Sequence, residues 1–119
     1  MNRYRSSGSA HRGLGEWLWQ RLTALYLGGF TVFVVLRLGF APFADYAAWR
    51  AWMLSPTMRI AVALAFAAAL LHAWIGMRSV YLDYLPPLGL RVLVSAVTAV
   101  ALLVVAAWVG EVLLWGAVP

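Results

Sequence analysis

Three stretches of this chain are long and apolar enough to cross a bilayer, and they constrain the fold more than any other feature. Residues 60–77 and 92–110 contain no Asp, Glu, Lys or Arg, and residues 22–36 are also uncharged. A helix of about 20 apolar residues spans the hydrocarbon core, because each residue adds about 1.5 Å. We therefore predict an all-α membrane protein with three transmembrane helices. They cover about residues 22–41, 58–81 and 89–116.

The composition also indicates a membrane protein, and the polar start of the chain indicates a separate N-terminal tail. Hydrophobic residues make up 65% of the chain and charged residues 11%, whereas a soluble domain has about 25% charged residues. We expect residues 1–13, rich in Ser, Gly and Arg, to form a flexible tail and residues 14–119 to form a single transmembrane domain. The tail is too polar for a cleavable signal peptide, so we expect it to stay in the mature chain.

The arginines predict the orientation. All nine basic residues are Arg, and three spans would divide them between two sides of the membrane. Six would share the side of the N-terminus: Arg3, Arg5, Arg12, Arg21, Arg78 and Arg91. Three would lie on the other side: Arg37, Arg50 and Arg59. The positive-inside rule then places the N-terminus in the cytoplasm and the C-terminus outside. We expect no nucleic-acid partner, because no soluble domain presents a basic patch.

The linker between the first two spans predicts a short interfacial helix. It carries Tyr46, Trp49 and Trp52 at spacings of three residues between two prolines. Aromatic side chains on one helical face favour the boundary between lipid and water. Thr57 is predicted to cap the next helix by accepting a backbone N–H bond.

Histidine is scarce in this chain, and one of its two histidines lies inside a predicted span. His11 is in the tail, whereas His72 follows twelve uncharged residues. An ionisable group in lipid is costly and is a functional hypothesis by default. If residues 72–83 are helical, His72, Gly76 and Asp83 share a face with Ser79, because eleven residues return a helix to within about 20°. The absence of cysteine excludes disulfides and iron–sulfur ligation by this chain.

The residues alone leave alternatives open for His72 and for the Asp83-Tyr84 pair. His72 is either a haem-iron ligand, with Gly76 leaving room for the porphyrin edge, or a group hydrogen-bonded to a neighbouring helix. A second haem ligand would have to come from another subunit. Tyr84 is either a donor to a quinone carbonyl, oriented by Asp83, or an ordinary interfacial tyrosine.

Two further charged residues also have more than one interpretation. Arg21 could neutralise a haem propionate or a lipid phosphate, or it could anchor the chain in the lipid interface. Glu111 could be protonated or paired with a partner subunit, or it could relay protons. Nothing in the sequence decides between these roles.

The amino-acid sequence of the second span resembles that of a known protein family. The string HAWIGM at residues 72–77, followed by Asp83-Tyr84 and then Leu90-Arg91, is similar to the hydrophobic membrane anchor subunits of succinate dehydrogenase, respiratory complex II. Arg21-Leu22-Thr23-Ala24 resembles that family's first-helix motif of Arg, one residue, then Thr-Ala. The resemblance extends over nearly the whole chain from about residue 13.

The resemblance implies roles for four residues. His72 would be an axial ligand of haem b, whose other ligand is a histidine of the companion anchor subunit. Tyr84 would hydrogen-bond ubiquinone, Asp83 would serve that site as a proton relay, and Arg21 would lie near the haem propionates or the quinone pocket. The chain departs from the family at Gly15, where the relatives carry a histidine before the acidic residue.

The resemblance also implies partners. They are a second membrane anchor of the cytochrome b type, an iron–sulfur subunit and a flavoprotein, together with lipid and ubiquinone, at a bacterial inner membrane. The complex would oxidise succinate, and this chain would contribute only to quinone reduction. The alternatives are a haem-free structural anchor of a complex such as fumarate reductase, and a small transporter subunit in which His72 or Glu111 lines a pathway.

Overall fold

A computed structural model of the chain describes residues 10–116, and the described part is helical with short connections. The helices are α1 (Ala10–Phe40), α2 (Tyr46–Met53), α3 (Pro56–Tyr84) and α4 (Leu88–Trp115). Helices α1, α3 and α4 are long and apolar enough to cross a membrane. The chain is therefore an all-α, multi-pass membrane protein, as predicted.

Helix α1 begins earlier than predicted from hydropathy and α3 extends past both of its predicted ends, whereas α4 matches its predicted span to within one residue. Residues 10–13, which we assigned to the N-terminal tail, belong to α1. The rest of the predicted tail, residues 1–9, lies outside the described residues. Helix α3 runs to Tyr84, two residues before Pro86, because a residue that precedes proline is pushed out of the helical region.

Helix α3 lies in the middle of the molecule. It packs antiparallel against α1 on one side and α4 on the other, while α1 and α4 do not touch within the described residues. Met58, Val62 and Ala65 of α3 are buried, as are Thr23 of α1 and Thr98 of α4. Most large apolar side chains stay exposed, as expected of helices whose remaining faces meet lipid or partner subunits.

The short helix α2 confirms the helix predicted in the linker. Asp45 caps it by accepting the N–H of Ala48 at 2.7 Å. The ring of Trp52 lies 5.1 Å from that of Phe43 and 6.4 Å from that of Phe33 on α1, measured between centroids. The contact with Phe33 links α2 to α1, and α2 also packs against α3.

The predicted N-cap of α3 was wrong. Helix α3 begins at Pro56 after Ser55, whose hydroxyl donates to the carbonyl of Trp52 instead of capping. Thr57 is already inside the helix. Proline suits the first helical position because its φ is fixed and its missing N–H would have no partner there.

We call the end of the bundle where α1 begins, α3 ends and α4 begins the N-terminal end, and the opposite end the C-terminal end. At the C-terminal end, Arg50 donates to the carbonyl of Gly116 at 3.1 Å, and Arg59 donates to that of Leu113 at 2.5 Å. The last carbonyls of a helix lack intrahelical partners, so guanidinium groups stabilise them. These contacts tie α2 and α3 to the end of α4.

Arg37 is held differently at the same end. Its guanidinium carbon lies 4.3 Å from the ring centroid of Phe43 and 5.6 Å from that of Trp52. Its Nη1 is buried and has no hydrogen-bond partner within the described residues. Cation–π attraction to the two rings is therefore its main interaction in this chain.

Candidate functional site

His72 lies half-buried between α3 and α1, with both ring nitrogens close to side chains of α1. Its Nδ1 is 3.1 Å from the hydroxyl oxygen of Thr23, and its Nε2 is 3.3 Å from the amide nitrogen of Gln20. The hydrogen bond to a neighbouring helix that the sequence left open is therefore present. The role of His72 as a metal ligand stays a prediction.

The partners of His72 determine which ring nitrogen carries the proton. The hydroxyl of Thr23 donates its single proton within α1, to the carbonyl of Trp19 at 2.7 Å. Its oxygen can then only accept, so Nδ1 of His72 is the donor. Independently, the amide nitrogen of Gln20 can only donate, so Nε2 of His72 accepts. A neutral imidazole with its proton on Nδ1 and its lone pair on Nε2 satisfies both contacts.

A polar cavity of about 320 Å³ opens beside His72, on the side that faces the N-terminal end of the bundle. Gly76 and Ser79 of α3 line it together with Glu16 and Gln20 of α1. A Cβ atom at Gly76 would lie 3.3 Å from the amide nitrogen of Gln20, so the space above Gly76 is filled by that side chain. His72, Gly76 and Ser79 therefore share the face toward α1, as the helical period predicted.

An ion pair joins α1 and α3 beside this cavity. Arg78 donates to the carboxylate of Glu16, and the side chains are 47% and 43% exposed. An exposed pair of this kind contributes about 0.2–1 kcal/mol. The sequence did not reveal it, because no local pattern links Glu16 to Arg78, which lies 62 residues further along the chain.

An apolar groove of about 280 Å³ lies on the other side of His72. Helix α1 contributes Trp19, Leu22 and Tyr26, and α3 contributes Ala68 and Leu71. His72 contacts Thr23, which lines the apolar groove, and Gln20, which lines the polar cavity. The imidazole thus sits where the α1–α3 interface changes from apolar to polar.

The other predicted site residues make no hydrogen bond to His72 among the described residues, and of these Asp83 and Tyr84 lie at the N-terminal end. Arg21 is exposed on α1, with its guanidinium carbon 5.2 Å from the ring centroid of Trp17. Asp83 and Tyr84 close α3, and Tyr84 is 76% exposed. About eleven residues of helix, or roughly 16 Å, separate them from His72. Their roles stay predictions.

A second polar cavity, of about 350 Å³, lies between α3 and α4 at the N-terminal end. Arg78, Tyr81 and Arg91 line it, and the Tyr81 hydroxyl is 2.7 Å from that of Thr98. Sequence reasoning also missed this contact. The only available signal was a hydroxyl-bearing residue on each of two neighbouring spans.

Among the side chains of residues 13–116, no group of three or more His, Cys, Asp or Glu residues is placed to hold an ion. Glu111 is exposed near the end of α4, and its carboxylate has no ion-pair partner among the described residues.

Comparison with known proteins gives two consistent results. A family model described as "Succinate dehydrogenase/Fumarate reductase transmembrane subunit" matches residues 1–110. The chain is also similar to the succinate dehydrogenase hydrophobic membrane anchor subunit of Coxiella burnetii (strain RSA 493 / Nine Mile phase I). The two are 30% identical over 105 residues, which are 88% of this chain and 91% of the relative. The family match includes α1, α2, α3 and most of α4.

Proposed function

Because this chain belongs to the family of succinate dehydrogenase/fumarate reductase transmembrane subunits, we propose that it anchors a succinate:ubiquinone oxidoreductase in the membrane. In this assembly, a flavoprotein and an iron–sulfur subunit carry out succinate oxidation and dock at the N-terminal end of the bundle. A second anchor subunit packs beside this chain. The observation that carries the proposal is the family match together with the imidazole of His72, whose Nε2 lone pair would be open to a metal once the Gln20 amide moves away.

We propose that Nε2 of His72 is one axial ligand of a haem b. The neutral imidazole, the apolar groove on one side and the polar cavity on the other suit a flat apolar ring with charged edges. The other axial ligand would come from the companion anchor, because a single histidine lies in the spans of this chain. When bound, the haem would supply a one-electron carrier between the subunits.

Gln20 must move before Nε2 of His72 can bind a haem, since the amide nitrogen of Gln20 is hydrogen-bonded to that atom. The Oε1 atom of Gln20 is buried and has no hydrogen-bond partner within the described residues. The amide is therefore only half satisfied where it lies, and turning it away breaks a single long hydrogen bond. Such a neutral bond contributes about 0.5–1.5 kcal/mol, so the donor set fits a haem once Gln20 moves.

We further propose that Tyr84 and Asp83 form part of the ubiquinone site. Both are exposed where α3 ends, and neither side chain is hydrogen-bonded to another residue in the described part of the chain. A phenol hydroxyl can donate to a quinone carbonyl, and a neighbouring carboxylate can orient it or hold a proton. Arg21, exposed on α1, is proposed to serve a propionate or the same pocket.

The orientation with the N-terminus in the cytoplasm is also proposed, at a bacterial inner membrane. From their positions in the sequence, the three spans would put six of the nine arginines on the side of the N-terminus. The other three, Arg37, Arg50 and Arg59, are engaged within the chain. These structural contacts explain why arginines occur at the end that the rule expects to be poor in them.

The test is gentle detergent purification of the complex through a tag on this chain, with subunit identification and a reduced-minus-oxidised spectrum. We expect four different subunits, one b-type haem and succinate-dependent reduction of ubiquinone. The Gln20–His72 bond favours one rival, a haem-free anchor in which His72 only links α1 to α3. A four-subunit complex without haem would establish that rival, and a homo-oligomer without soluble subunits would overturn both.

A further inference from the structure

We propose that Thr23 is a positioning residue for His72: it fixes the tautomer and orientation of the imidazole and thereby tunes the haem held by Nε2. This inference rests on the proposed role of His72 as a haem ligand. Thr23 itself would not touch the haem iron. It would act through the opposite side of the imidazole ring.

Thr23 is built into the α1–α3 interface. It is 6% exposed, and its hydroxyl lies 2.7 Å from the carbonyl of Trp19 and 3.1 Å from that of Gln20. Both acceptors belong to the preceding turn of α1, so the hydroxyl proton is directed along the helix. The lone pairs of the oxygen face His72, 3.1 Å from Nδ1.

The result is a directed chain of two hydrogen bonds. Nδ1–H of His72 donates to Thr23, and Thr23 donates to Trp19. Each bond polarises the next, most strongly in a water-poor interface. A ligating histidine that donates its other N–H is held in one tautomer and becomes a more basic ligand. Thr23 can therefore change the properties of the haem through His72.

Gln20 cannot perform this role, although it also contacts His72. Its amide lies against Nε2, the nitrogen that must face the iron, so ligation displaces it. The contact of Thr23 is with Nδ1 and is compatible with ligation. The two neighbours on α1 thus differ in which ring nitrogen they contact, and only Thr23 fits a supporting role in the haem-bound protein.

The test compares variants in the purified intact complex. Thr23→Val keeps nearly the same volume and removes the hydroxyl, whereas Thr23→Ser keeps it. Thr98→Val is the matched control, because it removes another buried hydroxyl, bonded to Tyr81 between α3 and α4. The measurements are the haem-to-protein ratio, the EPR signal of the oxidised low-spin haem and the haem midpoint potential.

We expect Thr23→Val to weaken haem retention by about tenfold or more. Its midpoint potential should rise, because a less basic ligand stabilises the oxidised iron less. A tenfold change in the relative affinity for the two iron states corresponds to about 59 mV for one electron. Thr23→Ser and Thr98→Val should match the unaltered complex in EPR signal and potential.

If Thr23→Val does not assemble, Thr23→Cys provides the same test, because a thiol is a weaker acceptor of similar size and should give a smaller shift in the same direction. Unchanged potential and EPR signal in Thr23→Val, or equal shifts in Thr23→Val and Thr98→Val, would overturn the inference about Thr23. Haem signals that survive His72→Ala would instead overturn the ligand role on which it rests.

Discussion

The two ends of the bundle hold their arginines in different ways. At the C-terminal end, Arg50 and Arg59 donate to the last carbonyls of α4, and Arg37 lies over the rings of Phe43 and Trp52. All three guanidinium groups interact with other parts of the same chain. This end is therefore completed by contacts among the four helices themselves.

The N-terminal end is more open. Arg21 is exposed beside Trp17, and Arg78 and Glu16 form an ion pair that is about half exposed. Arg91 has no side-chain hydrogen bond or ion pair to any residue that the structure describes. The charged groups at this end are therefore available to a partner subunit, a lipid headgroup or a ligand.

The C-terminal end is thus mainly structural, whereas the N-terminal end carries the proposed site. Contacts at the C-terminal end explain how α2 and α4 are held, and among the described residues Glu111 is the main polar group they leave for chemistry there. At the N-terminal end, Asp83 and Tyr84 are exposed, and a polar cavity lies between that end and His72. We therefore expect substitutions at the N-terminal end to affect electron transfer and those at the C-terminal end to affect stability.

The largest expected effect is that of Tyr84→Phe. Loss of the proposed quinone donor should reduce ubiquinone reduction by at least about tenfold, because a hydrogen bond made in the reacting complex is removed. Succinate oxidation with an artificial acceptor should be retained, and the two assays on one preparation check this. Tyr46→Phe, at an exposed tyrosine of the other end, is the matched control. Equal loss of both activities in Tyr84→Phe would count against the quinone role.

Arg59→Gln should have the opposite effect to Tyr84→Phe: it should lower stability and leave quinone reduction intact. It removes a charge-assisted hydrogen bond to the end of α4, which contributes about 1.5–3 kcal/mol. Thermal unfolding of the purified complex should begin at a lower temperature, with quinone reduction per assembled complex unchanged. Arg91→Gln serves as the comparison and should alter thermal stability less. A larger stability loss in Arg91→Gln would break the distinction between the two ends.

Gln20→Ala should lower stability less than Arg59→Gln does, and only in complex that lacks haem. The amide must leave Nε2 of His72 on ligation, so removing it should leave the spectrum of the haem-bound complex unchanged. Haem-free complex should lose about 0.5–1.5 kcal/mol of stability, the contribution of one neutral hydrogen bond. Haem content and melting temperature measured on both forms provide the check. A haem spectrum that changes as much as in Thr23→Val would contradict the assignment of different roles to the two residues.

The smallest expected effect is that of Glu16→Gln. It breaks the ion pair between Glu16 and Arg78, and both side chains are about half exposed, so the loss of stability should be at most about 1 kcal/mol. Raising the salt concentration should shrink the difference further, because screening weakens exposed pairs. Melting temperatures at low and high salt measure it. A large, salt-independent loss would mean that the pair becomes buried in the assembled complex.

The spans and the face of His72 could be predicted from sequence, because each depends on a local pattern. Uncharged runs located the three long helices, and the helical period placed His72, Gly76 and Ser79 together. The helix ends were less accurate, since hydropathy detects uncharged runs whereas α1 and α3 also include the charged residues beside those runs. Pro56 rather than Thr57 decided where α3 begins.

The residues of α1 that contact His72 could not be predicted, because these contacts depend on how α1 and α3 are aligned in space. Gln20 and Thr23 are three residues apart and so lie on one side of a helix. Nothing local indicates that this side meets His72. The pairing of Arg78 with Glu16 depends on the same alignment, and a carboxylate near several arginines has no unique partner in the sequence.

The most direct test of the central claim is the oxidised low-spin haem signal in complex carrying His72→Ala, measured by EPR beside the unaltered complex. His11→Ala, at the other histidine of the chain, is the control and should leave the signal unchanged. With subunit composition verified in each preparation, we expect His72→Ala to lose the haem or to lose its low-spin signal. A low-spin signal of unchanged position and intensity in His72→Ala would contradict the account.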